Sequence, residues 1–174
     1  LTASLFAQEP KWVSKEVTKR NVVLEVFTGS YCVNCPAGHK VANQLAAANP
    51  GRLFVINNHC GTYANPAVSQ PDLRTKEGGL IGDKAGIPGY PSGSLNRSTV
   101  PWAMYDEKWD SVATHIMGED SPVNIYVKPT LEYDTRKLTV EVELYYTGIA
   151  YPVNYLTVML LQNEILANQY GAEY

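Results

Sequence analysis

The chain has 174 residues, 45% of them apolar, with 14 Lys and Arg against 17 Asp and Glu and a net charge of -3. That composition suits a packed globular fold without staples. With no Lys/Arg cluster, the chain lacks the electrostatic footprint of a nucleic-acid binder or a polybasic membrane anchor, and no apolar run approaches the ~20 residues that a bilayer-spanning helix needs.

In chain order, Leu1-Thr2-Ala3-Ser4-Leu5-Phe6-Ala7 reads like the tail of a secretory signal peptide, and residues 1–12 are expected to be its remnant or a disordered leader. Export would place the cysteines in an oxidising compartment. Asn21 to Phe27 is a nearly continuous apolar, β-branched run, as expected for a strand buried on both faces of a parallel sheet. Ala37, Val41, Leu45 and Ala48 then recur at helical spacing, Asn49-Pro50-Gly51 stops the helix, and Leu53 to Ile56 is a second buried strand. Strand, helix, strand at this length is one βαβ unit.

Asp72 to Lys84 is expected to form a Gly-interrupted helix, and residues 85–92 a turn into a short strand around Ser94-Leu95-Asn96. Tyr105, Trp109, Val112 and Ile116 mark an amphipathic helix that Gly118 ends. These elements make one α/β domain over residues 13–118.

At Glu119-Asp120-Ser121-Pro122 the pattern changes from helix-bearing to strand-bearing, which sets the domain boundary. Val123, Ile125 and Val127 alternate, as do Leu138, Val140, Val142 and Leu144, giving a half-buried antiparallel hairpin that turns near Asp134-Thr135. Tyr155 to Leu161 reads as a third strand. Three strands facing one way do not close a sandwich, and Gly171-Ala172-Glu173-Tyr174 supplies no closing element. The expectation for residues 119–174 is therefore the start of a β-sandwich continued beyond Tyr174.

Two of the three cysteines, Cys32 and Cys35, lie between the first strand and the first helix. A CxxC there puts both sulfurs within bonding reach across one helical turn, with Cys32 near the helix N-terminus. Unpaired N–H groups and the helix dipole favour its thiolate, so Cys32 is the candidate nucleophile and Cys35 the candidate resolving thiol. Val33 and Asn34 between them add no positive charge.

With Phe27, Tyr31, Cys32 and Cys35 followed by Gly89-Tyr90-Pro91-Ser92, the chain resembles the thioredoxin superfamily. The resemblance implies a cis Tyr90–Pro91 bond facing the cysteines, with Pro88 the competing candidate, and a substrate-receiving surface that includes Pro91 and Tyr31. The longer strings around Cys32-Val33-Asn34-Cys35-Pro36 and Gly89-Tyr90-Pro91-Ser92-Gly93 are similar to an outer-membrane lipoprotein family of anaerobic Gram-negative bacteria, which joins a thioredoxin-like domain to a C-terminal β-domain. This implies an exported protein of the periplasm or outer membrane, with room for a membrane anchor upstream. Its partners would be protein thiols and disulfides, and no cofactor is implied.

The sequence departs from the thioredoxin pattern six residues before Cys32, where Val26 stands and the acid is its neighbour Glu25. Adjacent strand residues face opposite sides. Either a bulge turns Glu25 toward the cysteines for proton transfer, or it faces elsewhere. Arg97 is placed to hold a carboxylate or a carbonyl. Cys60 reads as a small buried thiol or a third redox cysteine. His39, one turn beyond Cys35, with His59 or Cys60, makes metal the rival chemistry, but a closed zinc site would lock the thiols that the Pro91 turn exposes. No metal is assigned. Two functions follow: disulfide exchange by the pair, or a noncatalytic interaction protein in which the pair is a staple. An open Cys32 sulfur points to the first and a covered one to the second.

Overall fold

Residues 9–149 and 153–171 are described by a computed structural model of the chain. The signal-peptide reading of residues 1–7 and the closing residues 172–174 lie outside them. By internal contacts the chain forms two compact units: residues 20–119 with 158–171, and residues 9–19 with 120–149 and 153–157. The described residues are mixed α/β, with three α-helices and two small sheets.

In the larger unit, strand β1 (Val22–Thr28) is central, flanked by β2 (Leu53–His59) and β3 (Ser92–Leu95). β1 and β2 run parallel, joined by α1 (Cys35–Ala48), since parallel neighbours need a crossover. The sheet is mixed and not all-parallel, because β3 returns antiparallel to β1. The side chains of β1 alternate. Val22, Leu24 and Val26 form one core with Ala42 and Leu45 of α1 and with Trp109, Ala113 and Ile116 of α3 (Trp109–Gly118). Phe27 enters a second core with Cys60, Ala85 and Ala103, packed on Ile81 of α2 (Lys76–Ala85).

Helix ends follow local chemistry. Thr75 caps α2 by accepting the N–H of Gly78 at 2.9 Å, and Gly86 closes it at φ 66°, a left-handed conformation that glycine adopts without a Cβ penalty. The indole of Trp109 is fully buried and donates to the Met104 carbonyl at 3.2 Å, fixing the start of α3.

The smaller unit is a hairpin of β4 (Val123–Glu132) and β5 (Lys137–Tyr146), turning through residues 133–136 where expected. The Glu143 carboxylate accepts the N–H groups of Lys11, Trp12 and Val13, and Asn124 donates to the carbonyls of Ser14 and Glu16. The third strand expected over Tyr155–Leu161 does not form: no ladder reaches those residues among the described ones. β propensity gives such a run an extended tendency, but a strand also needs a partner edge. The described β-unit is a two-stranded sheet and not a sandwich.

Candidate functional site

β1 ends at Thr28, and the chain turns through Gly29–Asn34 before α1 begins. The N–H of Cys32 bonds the Gly29 carbonyl at 3.0 Å, and that of Cys35 the Cys32 carbonyl at 3.2 Å. Tyr31 is held by its N–H on the Tyr63 carbonyl at 3.0 Å and is 47% exposed. Pro36 occupies the first turn of α1, where its missing N–H costs no bond. This turn brings Cys32 and Cys35 together in a disulfide with an S–S distance of 2.12 Å. The first turn of α1 carries no acidic residue to offset the positive end of the helix dipole beside the sulfurs. Cys35 is fully buried and Cys32 is 3% exposed.

The Tyr90–Pro91 peptide is cis, as is Val100–Pro101, which no sequence feature had marked; the bond before Pro88 is not among the cis bonds. Pro91 is buried at the start of β3, and α1 meets it at Gly38, one turn after Cys35. A Cβ on Gly38 would lie 2.6 and 2.7 Å from Cγ and Cβ of Pro91, so this approach requires glycine. The sequence offered a faint signal for it, a glycine inside a helical pattern.

Glu25 stands apart from this arrangement. The β1–β2 ladder is unbroken from Val22↔Leu53 to Thr28↔His59, so no bulge redirects its side chain. Both carboxylate oxygens are taken by Arg97, at 2.7 and 2.8 Å, and the guanidinium stacks over Trp102 at 5.0 Å. Arg97 thus holds a carboxylate, and that carboxylate is Glu25.

His39 bonds Thr28 Oγ1 through Nε2 at 2.9 Å. Burial lowers its pKa; burial also lowers that of His59, with the neighbouring His39 a further cause. Cys60 is a free buried thiol 3.7 Å from the Tyr90 hydroxyl, and burial, the largest influence on it, pushes its pKa up. Tyr90 in turn meets Tyr63 edge to face at 5.5 Å. Among the described residues no group of three or more His, Cys, Asp or Glu gathers as for a metal, and no helix is long and apolar enough to cross a membrane.

The side chain that sequence reading missed is Gln169, whose Nε2 donates to the Gly29 carbonyl at 3.2 Å and to that of Cys32 at 3.1 Å. Nothing in the local pattern of residues 158–171 marks it, because the contact is long-range.

No protein-family model matches this chain, and no curated protein matches it. Two solved structures are similar to it. HBP35 of Porphyromonas gingivalis matches over 65% of this chain at 24% identity and a TM-score of 0.46; the match spans 38% of the HBP35 chain. Protein AGR_C_4864 of Agrobacterium tumefaciens matches over 75% of this chain and 76% of its own, at 14% identity and a TM-score of 0.46.

Proposed function

We propose that the larger unit is a thioredoxin-like thiol-disulfide exchanger acting on polypeptide thiols and disulfides. The observation that carries this is the Cys32–Cys35 disulfide at the start of α1, with Pro91 packed on the same helix one turn further on. In the reduced state the Cys32 thiolate attacks a partner disulfide, forming a mixed disulfide and expelling one partner thiolate. Cys35, as thiolate, then attacks Cys32 Sγ and expels the second. Two electrons pass to the partner, each partner sulfur takes a proton, and the Cys32–Cys35 bond is restored.

Tyr31 supplies the exposed surface that receives the partner in this reading, and Pro91, buried against α1, shapes the backbone behind it. Glu25, bound on both oxygens by Arg97, is assigned to the fold of the central strand in this reading. Residues 1–7 are read as the end of an export signal, placing the protein in the periplasm or at the outer membrane, and the hairpin unit as the start of a β-sandwich.

A second reading, a structural staple in an interaction protein, is favoured by one observation, the covered Cys32. Trapping separates the two. Cys35→Ser should accumulate mixed disulfides between Cys32 and partner polypeptides, and Cys32→Ser should accumulate none. Absence of adducts from Cys35→Ser would leave the staple.

A further inference from the structure

A strip of this same unit lies along the turn that carries the pair. The Tyr170 N–H bonds the Ser30 carbonyl at 2.7 Å, Gln169 spans the carbonyls of Gly29 and Cys32, and the Asn168 N–H reaches Gln70 Oε1 at 3.3 Å. Gly171, at φ +79°, lies so close that a Cβ on it would stand 2.5 Å from the Val33 carbonyl oxygen. Residues 168–171 thus run along the Gly29–Val33 segment and bend in a turn of their own at Tyr170-Gly171, donating a carboxamide and a backbone N–H to carbonyls of the CxxC turn. Beside them is an open cavity of about 410 Å³ lined by Tyr31, Pro66, Val68 and Pro71 and, on its other side, by the strip.

We propose that residues 168–171 are a displaceable strap: they occupy the edge on which a partner polypeptide docks, and they shield the Cys32–Cys35 disulfide until they leave. This rests on the exchange reading and adds to it the kind of partner that the edge accepts. That partner is a polypeptide segment with a carboxamide side chain followed by a free backbone N–H, flanked by an apolar side chain for the cavity. The contacts suit release. Tyr170 is 64% exposed, the strip has no regular secondary structure, and its hold on the turn consists of a few hydrogen bonds that water or another chain can replace.

The test compares the full chain with its Gln169→Ala/Tyr170→Pro variant, which removes the carboxamide and the N–H donor. The readout is the rate at which dithiothreitol reduces the pair. One reagent thiolate attacks Cys32 Sγ and Cys35 leaves as thiolate; the second reagent thiol then attacks its own mixed-disulfide sulfur, releasing Cys32 and oxidising the reagent to its cyclic disulfide. The variant should be reduced roughly tenfold faster or more, the factor expected from losing the three hydrogen bonds that Gln169 and Tyr170 make to the turn. A peptide reproducing residues 163–171, added in excess, should bring the variant back toward the wild-type rate. Equal rates in the two proteins, or a fast variant that the peptide does not slow, would overturn the strap. Neither result bears on exchange itself, which the Cys35→Ser adducts report; a gated disulfide without adducts would keep the strap contact and remove the exchange reading.

Discussion

Glu25 is 5% exposed in the central strand, and Arg97, held at φ 49° just beyond β3, supplies the guanidinium that both its oxygens accept. Removing one partner of such a pair costs more than the pair contributes, because the other group stays buried without its partner. Arg97→Ala should therefore lower unfolding stability by about 2 kcal/mol, below the range for a fully buried pair because Arg97 is partly exposed. Urea denaturation measures it, and a loss under roughly 0.5 kcal/mol would show that water replaces the guanidinium. The histidines set a pH dependence. Burial lowers the folded-state pKa of His39 and His59, so below about pH 6.5 the unfolded chain binds protons that the folded chain refuses. Their contribution is complete above the unfolded value and is lost as pH falls toward the lowered folded values. The urea midpoint should drop between about pH 7.5 and about pH 5.5, and less steeply in His39→Gln, which keeps a hydrogen-bonding group toward Thr28. An equally steep drop in the variant would assign the effect elsewhere. At this scale the cysteines and Pro91 were legible because their chemistry is tied to spacing and turn residues. Arg97 was legible only as a cation in search of a partner, and Gln169 not at all, because its partners lie 137 and 140 residues away.

α1 is the element on which the site depends, since its N-terminus carries Cys35 and its second turn touches Pro91. Gly38→Ala tests that contact through two opposing effects. Alanine improves helix propensity by about 1 kcal/mol. Its methyl group would stand 2.6 Å from a proline ring that has little freedom to move, and overpacking of this kind costs about 1–3 kcal/mol. The clash should win, lowering the thermal midpoint by several degrees. A rise would mean that helix and proline separate freely. β1, α1 and the β4–β5 hairpin were legible because each carries a long hydrophobic pattern of clear period. β3 was placed around 94–96 and forms at Ser92–Leu95, starting two residues earlier, since its short polar-apolar run fixes no register until it meets β1. The false strand over residues 155–161 shows the converse: apolar, β-prone residues with no edge to pair with. Ile125, Val127 and Leu131 on β4 are likewise 47–55% exposed, as befits a two-stranded ribbon with no covering layer among the described residues.

For the whole molecule, the two compact units divide between Lys19 and Arg20, between Glu119 and Asp120, and between Thr157 and Val158. The sequence did not show that residues 9–19 group with the hairpin, or that 158–171 group with the α/β unit, because both depend on long-range hydrogen bonds that leave no periodic trace. The central claim is that this unit uses its cysteine pair to exchange disulfides and does not merely close a loop with it. The reduction potential of Cys32–Cys35, measured in the full chain by equilibration with glutathione buffers, tests that most directly. The exchange account predicts a value between about -270 and -120 mV, where redox-active pairs operate, whereas a value below about -300 mV, typical of structural disulfides, would contradict it.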